Sequence, residues 1–284
     1  MKDYVHALGL VPQNALSFAL GAMVRLKLPA PVQKPLNRAF VGLFKINMSE
    51  AERPLESYET IEDIFTRALK PEQRAIEGQY VSSADGVLEM SRPATSGGEA
   101  IQAKGITYSL SELINGKASS SVDARWYTTV YLAPHNYHRV HSPFSGQIKG
   151  LRYIPGRLWP VNRPAVRAVS QLFCRNERLV FDYELEGGAR AWVVMVGAFN
   201  VGRMATPLKP DFVTNAAHSL LKVGHDPVEM SLKTPVAVKA GDEIGTFMLG
   251  STTVVVLDHK AFELLRPREV VEPQKVTMGQ NLSH

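Results

Sequence analysis

The strongest constraint on the fold is a change of sequence pattern near residue 79. From there onward, short runs rich in β-branched and aromatic residues alternate with Gly, Pro and Asn, a pattern typical of strands joined by turns. The clearest runs are 126–132, 179–183, 191–196 and 252–257. Helical patterns come before this point. The sequence therefore predicts an α+β chain, in which N-terminal amphipathic helices precede a mostly antiparallel β body of sandwich-like or barrel-like shape.

Two features support a globular chain with helices before residue 79. Thr60 and Asp63 form a helix-capping signal, which predicts a helix that starts at Ile61 and continues until Pro71. With 284 residues, 45% of them hydrophobic, the chain can bury a sizeable core. The single cysteine, Cys174, excludes an internal disulfide framework and a cysteine-based zinc finger.

Positive charge is concentrated at the N-terminus. Residues 1–49 contain six basic residues and one acidic residue, Asp3, which gives a net charge of +5, the same as the whole chain. The basic residues are Lys2, Arg25, Lys27, Lys34, Arg38 and Lys45. Apolar residues recur at helical spacing over 36–44 in the same segment. Basic amphipathic helices suit an anionic membrane surface, so residues 1–49 are predicted to associate with a membrane.

Other interpretations of this segment remain open. The stretch from Tyr4 to Val24 lacks formal charge, as a membrane-spanning helix requires, but 12–14 (Pro-Gln-Asn) interrupts it. A signal peptide would need a basic start and a small-residue cleavage site, whereas Asp3 lies at the start and no clear cleavage site follows. The helices could also pack on the core of the protein or on a second subunit.

The sequence Leu249-Gly250-Ser251-Thr252 precedes the apolar run 253–257. Gly-Ser before β-branched residues is most often a turn that enters a strand. It also permits backbone cleavage, because Ser251 Oγ is one short side chain from the carbonyl carbon of Gly250 and glycine has no Cβ to obstruct attack. An N-to-O acyl shift would give an ester, β-elimination would convert residue 251 to dehydroalanine, and hydrolysis would leave a pyruvoyl group there.

Three histidines, His135, His138 and His141, follow one another at intervals of three residues. This spacing does not place all three on one face of a helix or a strand, which weakens a metal-site interpretation. A histidine can exchange protons near neutral pH, so a general base is the better functional interpretation; structural histidines are the alternative. Asp85, in Ala84-Asp85-Gly86, is either a turn residue or, if it contacts a histidine, the group that fixes its tautomer.

Taken together, these segments resemble the phosphatidylserine decarboxylase family, in particular its bacterial membrane-associated members. The matching segments are Ala84-Asp85-Gly86, Tyr137-His138-Arg139-Val140-His141, Tyr153-Ile154-Pro155-Gly156, Val161-Asn162, Arg175-Asn176-Glu177-Arg178, Val196-Gly197-Ala198 and Leu249-Gly250-Ser251-Thr252. The resemblance covers roughly residues 55–284. The Gly-Ser-Thr sequence and the His-Arg-Val-His sequence are specific in combination.

The resemblance implies a role for four of the residues already singled out. Ser251 would become a pyruvoyl group, His141 would take the proton from its hydroxyl, and Asp85 would orient His141. The pyruvoyl group would accept the electrons released as carbon dioxide departs, like pyridoxal phosphate. His138 would protonate the resulting carbanion. The reaction would convert phosphatidylserine to phosphatidylethanolamine, with no metal or external cofactor.

The resemblance also implies an organisation of the chain. Residues 1–49 would be the membrane-associating segment and residues 50–284 the catalytic domain, cut between Gly250 and Ser251 into two associated chains. Val161 and Asn162 would contact the substrate. We expect a homodimer that binds phosphatidylserine in an anionic membrane, at the cytoplasmic face of the bacterial inner membrane, and that binds no nucleic acid.

Two other functions share parts of this pattern. A pyruvoyl decarboxylase of a soluble amino acid would need the same cleavage but not the N-terminal helices. A lipid-binding homologue that never matures would keep the fold and an intact chain.

Overall fold

The computed structural model describes residues 13–103, 105–117, 122–199, 203–214, 226–248 and 251–284. Helices come first, as the sequence predicted. The α-helices are α1 (Gln13–Val24), α2 (Ala30–Phe44), α3 (Ile61–Phe65), α4 (Leu110–Asn115), α5 (Arg163–Ala168), α6 (Leu172–Arg175) and α7 (His259–Leu265). Short 3-10 helices cover Leu55–Ser57, Pro71–Gln73 and Glu186–Gly188.

Strands dominate the chain after residue 85. They are β1 (Gly86–Pro93), β2 (Glu99–Ala103), β3 (Ile106–Ser109), β4 (Trp126–Leu132), β5 (Arg139–His141), β6 (Gly146–Ile154), β7 (Arg178–Glu184), β8 (Arg190–Val196), β9 (Met204–Ala205), β10 (Val228–Met230), β11 (Val236–Val238), β12 (Glu243–Phe247), β13 (Ser251–Leu257) and β14 (Gln274–Val276). All four strand runs predicted from the sequence correspond to strands β4, β7, β8 and β13.

Nine of these strands form one large antiparallel sheet. Its order is β10-β6-β7-β8-β13-β4-β1-β14, with β11 also paired to β6. The two ends of this order, β10 and β14, do not pair with each other in the described part of the chain. The α+β class and the antiparallel arrangement are therefore confirmed, and the large sheet is open rather than closed into a barrel.

Two smaller layers cover the faces of the large sheet around β13. A three-stranded sheet, β5-β12-β9, contributes Val140 and Phe247 to the same core cluster as Val255 of β13. The β2-β3 hairpin and helices α4 to α6 lie against the other face, where Val254 belongs to a second cluster with Leu113. Because both faces are covered, all seven residues of β13 are buried, which explains the nearly continuous apolar run in its sequence.

Helix α3 begins as predicted but is shorter. Thr60 Oγ1 accepts a hydrogen bond from Asp63 N at 3.0 Å, which confirms the capping signal. The helix ends at Phe65 rather than near Pro71, because the chain then pairs with residues 50–52: Glu52 N donates to Ala68 O and Lys70 N donates to Glu50 O, both at 3.0 Å.

The N-terminal helices pack on the protein along one side only. Phe40 and Phe44 of α2 pack against a small cluster that includes Tyr58 and Ile64. Apolar residues are also exposed in this part of the chain: seven of the eleven exposed large hydrophobic residues in the described ranges lie before residue 49. Every helix in those ranges falls short of the length and apolarity that a membrane span requires.

Gly86 offers a direct test of how tightly β1 fits against β4. A Cβ atom at Gly86 would lie 2.2 Å from Tyr131 O, a backbone atom, whereas a Cβ at Gly150 of β6 would meet nothing within 4 Å. We expect Gly86→Ala to lower the free energy of unfolding by about 1–3 kcal/mol, because the two strands must move apart. Urea unfolding, with Ser251→Ala present to keep one unbroken chain, measures this. Gly150→Ala is the control, and equal losses in both variants would contradict the fit described.

Candidate active site

Ser251 is the first residue of β13 and lies opposite Leu132 of β4. Its side chain is fully buried, and its Oγ has no hydrogen-bond partner in the described part of the chain. Leu249 and Gly250, the other half of the predicted cleavage site, lie outside the described residues. A buried hydroxyl without a partner is unfavourable, and such exceptions call for an explanation. A reactive role for the hydroxyl is one such explanation.

The Ser251 side chain points toward the small sheet that carries His141. Side chains alternate along a strand, so Ser251 shares a face with Thr253 and Val255, the face covered by β5-β12-β9. Ser83 links that face to β5: its Oγ lies 3.1 Å from Thr253 Oγ1, and its carbonyl oxygen accepts from His141 N at 2.8 Å.

His138 lies beside the chain that leads to Ser251. Its carbonyl oxygen accepts from Phe247 N at 3.0 Å, and Phe247 is four residues before Ser251. The imidazole is fully buried, with its ring centroid 3.9 Å from that of Phe65. Nδ1 donates to Asn136 O at 2.9 Å, which leaves Nε2 with a lone pair and no partner in the described ranges. Burial lowers the pKa of His138 to about 3, so the ring is neutral.

His141 uses both ring nitrogens in hydrogen bonds. Nδ1 lies 2.7 Å from Gly241 O, and Nε2 lies 2.9 Å from the Tyr137 hydroxyl. Burial is the largest influence on the pKa of His141 and lowers it; the hydrogen bond to Gly241 opposes this effect. The ring is therefore neutral near pH 7, the protonation state that a general base needs.

Asp85 lies near His141 but has other partners. Its Oδ1 accepts from Arg74 Nε and from Met278 N, each at 2.8 Å, and its Oδ2 accepts from Arg74 Nη2. Arg74 Nη2 also donates to Glu50 Oε2, at 2.8 Å. The direct hydrogen bond between Asp85 and His141 expected from the sequence is absent from this conformation. Asp85 acts on His141 only at longer range, where its charge opposes the lowering of the histidine pKa.

A cavity of about 330 Å³ opens beside Thr252, one residue from the predicted cleavage site but on the face of β13 opposite to the Ser251 side chain. Val161 and Asn162, the predicted substrate residues, both line it, as does Thr252. The remaining lining residues are Val87, Glu89, Met90, Ile101, Gln102, Thr129, Tyr131, Arg163, Val166 and Phe173. Asn162 also caps α5, because its Oδ1 accepts from Ala165 N at 3.1 Å, so its side chain has a structural role as well.

The three histidines do not converge. His135 is exposed, whereas His138 and His141 are buried and bind different carbonyl groups. Among the residues that the structure describes, no group of three or more His, Cys, Asp or Glu side chains could hold a metal ion.

Known proteins share much of this sequence. Residues 61–284 match the family model for phosphatidylserine decarboxylase. The chain belongs to the phosphatidylserine decarboxylase family. It is similar to the phosphatidylserine decarboxylase proenzymes of Anaeromyxobacter sp. (strain K), at 41% identity over 90% of this chain and 89% of the relative, and Myxococcus xanthus, at 37% over 91% and 90%. The similarity to the Azotobacter vinelandii proenzyme, at 36% identity, covers 99% of this chain and 98% of the relative.

Three neighbours of the predicted site residues in this family member were not identified from the sequence. Tyr137 lies within a motif used for the family resemblance, and its position four residues before His141 was the only signal. Gly241 is 100 residues from the histidine that it contacts, and Arg74 reaches Asp85 from an irregular segment. Neither position carries a local pattern that indicates its partner.

The buried neutral state of His138 predicts a pH dependence of stability. Because its pKa is lower in the folded protein than in the unfolded chain, the stability it contributes is present above pH 6.5 and is lost as the pH falls toward 3. In the uncleaved Ser251→Ala protein, His138→Gln should therefore reduce the loss of unfolding free energy between pH 6 and 4 by up to about 1.4 kcal/mol per pH unit. Urea unfolding at several pH values measures it. His135→Gln, at an exposed position, should leave the slope unchanged, and a similar slope in all three proteins would contradict the prediction.

Proposed function

We propose that this chain is a self-cleaving decarboxylase that converts phosphatidylserine to phosphatidylethanolamine and carbon dioxide at a membrane surface. The observation that carries the proposal is the buried, unpartnered hydroxyl of Ser251 at the start of the central strand β13, on the face covered by the small sheet that holds His141. The related proteins are proenzymes, a property that requires a cleavage site.

Self-cleavage would begin with proton transfer from Ser251 Oγ to His141. The hydroxyl oxygen then attacks the Gly250 carbonyl carbon, the peptide bond breaks, and the amide nitrogen of residue 251 takes up a proton, which gives an ester. β-Elimination would then remove the Cα hydrogen of residue 251 and release the Gly250 carboxylate. Hydrolysis of the resulting dehydroalanine, with loss of ammonia, would leave the pyruvoyl group. Asp85 would support the imidazolium that forms, through its charge at longer range or after a rearrangement that brings it closer. The products would be residues 1–250 and 251–284, which we assign as the two chains of the mature protein.

The two chains would stay together after cleavage. The shorter chain contains β13, which is paired along its length with β4 on one side and with β8 on the other, and β14, which is paired with β1. The cut lies before the first of these pairings, so the hydrogen bonds of residues 252–257 and of β14 survive it. Association of the chains therefore needs no new contacts.

A pyruvoyl group at residue 251 fits this site. The residue is small, lies at the end of a strand, and has a polar atom that the described surroundings leave unpaired. Such a group supplies an electron sink for decarboxylation. His138 Nε2 carries the free lone pair in this conformation, so to protonate the product it must first take up a proton.

The cavity beside Thr252 would hold the part of the lipid next to the headgroup, because it lies on the face of β13 opposite to the Ser251 side chain. Its volume, about 330 Å³, is at the lower end of the range of roughly 300–1,000 Å³ typical of small-molecule sites. It suits the glycerol with the adjoining part of the acyl chains, while the headgroup reaches residue 251 around the start of β13 and the rest of the lipid stays in the bilayer. Val161 would contact the apolar part of the substrate, and Asn162 and Thr252 would offer polar atoms.

Residues 1–49 would bring the enzyme to the membrane, and residues 50–284 would form the catalytic unit. Arg25, Lys27 and Arg38 form ion pairs with glutamates, so Lys34 and Lys45 are the basic residues of α2 and its end that lack an ion pair in the described ranges. Two such charges contribute about 2 kcal/mol at an anionic surface, and insertion of exposed apolar residues adds to this. We propose that the protein acts at the cytoplasmic face of the bacterial inner membrane. We also propose that it is a homodimer, and light scattering would measure its mass.

Replacement of Ser251 tests the central step. Ser251→Ala removes the attacking oxygen, so we expect an uncut chain of 31.3 kDa without decarboxylase activity, whereas the wild-type protein should give a 34-residue fragment, residues 251–284, with a pyruvoyl end. Intact-mass spectrometry and denaturing electrophoresis measure this. Ser91→Ala, at another fully buried serine of the same sheet, should mature normally.

The same preparations distinguish the alternatives. The mature protein should release carbon dioxide from phosphatidylserine in vesicles and not from free serine, whereas activity on free serine would favour a soluble amino acid substrate. A wild-type chain that stays permanently intact would exclude the enzyme and favour a lipid-binding homologue.

The exposed face of α2 provides the test of membrane association. Val32→Glu, Leu36→Glu and Leu43→Glu change side chains that are exposed, so the fold should persist, while burial of three carboxylates in the bilayer interface becomes unfavourable. We expect the triple variant to lose at least tenfold in binding to anionic vesicles in a sedimentation assay. Glutamate at Val228, Leu264 and Val271, which are exposed elsewhere, is the matched control. Equal binding by the two triple variants would contradict the proposed surface.

A further inference from the structure

A tight turn determines which nitrogen of His141 carries the proton. Asp242 N donates to Lys239 O at 3.1 Å, and Gly241 has φ +90° at the third position of this turn, as a type II turn requires. The turn directs Gly241 O to His141 Nδ1 at 2.7 Å. A carbonyl oxygen can only accept a hydrogen bond, so Nδ1 must carry the hydrogen. The lone pair of the neutral ring is therefore on Nε2.

The Tyr137 hydroxyl occupies that lone pair. It lies 2.9 Å from Nε2, and because Nε2 has no hydrogen, the hydroxyl is the donor. Tyr137 is 5% exposed and His141 8% exposed, so water competes little for this bond. Burial raises the pKa of Tyr137, which keeps the donor proton in place at any pH near neutrality.

We propose that Tyr137 is a positioning residue that restrains self-cleavage. Its hydroxyl donates a hydrogen bond to the lone pair of His141 Nε2, and this bond must break before His141 can accept the proton of Ser251. The proposal rests on the function proposed above, because it concerns the same base. Ser251 Oγ has no hydrogen bond to His141 in the described structure, whereas Tyr137 does. The conformation is therefore one in which the base is already engaged.

A contact present in the resting state and absent from the reacting state raises the barrier of a step. The release of one hydrogen bond with a net free energy of about 0.5–1.5 kcal/mol corresponds to a rate change of about 2- to 10-fold. Tyr137 thus sets how fast the proenzyme matures. It does not exchange protons with the substrate or with Ser251.

The first measurement tests the hydrogen bond without any cleavage. In ¹⁵N-histidine-labelled Ser251→Ala protein, Tyr137→Phe should move the Nε2 resonance of His141 toward that of an unbonded imine-type nitrogen, while Nδ1 keeps its hydrogen. Tyr80→Phe removes another buried hydroxyl, one that donates to Thr128 Oγ1, and should leave both resonances unchanged. An unmoved Nε2 resonance in the Tyr137→Phe protein would overturn the assignment, whether or not the wild-type chain cleaves itself.

The second measurement is the rate of cleavage. With Ser251 present, Tyr137→Phe should mature about 2- to 10-fold faster than the wild-type chain and Tyr80→Phe at the wild-type rate. A slower or unchanged rate in folded Tyr137→Phe would mean that the hydroxyl relays the proton or is only structural, and the proposal would be wrong. A fluorotyrosine at position 137 covers the case of a misfolded variant: it keeps the ring and strengthens the donor, so maturation should slow, and a rate equal to or above that of the wild-type chain would overturn the proposal.

Discussion

The arrangement of the whole protein depends on the pairing of β13 in the middle of the large sheet. This strand has partners on both edges, β4 and β8, and layers on both faces. Its first residue is Ser251, so the proposed reactive group sits at the end of the most constrained strand in the described structure. A cleavage just before such a strand releases no part of the core, because the ladder hydrogen bonds of residues 252–257 lie after the cut.

The site is assembled from segments far apart in the chain. Ser83 connects β13 to β5 through its side chain and its carbonyl oxygen, and the turn 239–242 approaches His141 from the end of β11. The shorter proposed chain, residues 251–284, contributes two groups to the site. Met278 N, near its C-terminal end, donates a hydrogen bond to Asp85, and Ser251 is its first residue. The second chain would therefore help to fix the carboxylate as well as supply the reactive residue.

The sequence predicted those features that depend on local pattern. The strand runs, including 252–257 after Ser251, and the cap at Thr60 follow from periodicity and residue type. The early end of α3 did not, because it results from pairing with residues 50–52. Tertiary contacts also explain the difference at Asp85. The sequence suggested that Asp85 contacts His141, whereas in the structure each of these residues has other hydrogen-bond partners. The hydrogen-bond partner of a polar group depends on tertiary contacts, which cannot be predicted from local sequence propensities.

Two contacts keep the proposed catalytic groups apart in this conformation. Arg74 lies between Asp85 and Glu50, and a guanidinium that neutralises two carboxylates is not displaced without leaving a charge poorly compensated. Tyr137 engages the other partner, His141, at the nitrogen that must act. A precursor that has to fold before it cuts itself benefits from both restraints. If the base were free from the start, it could activate the Ser251 hydroxyl, and the chain would be cut before the sheet has formed. At that stage, β13 would not yet hold the two chains together.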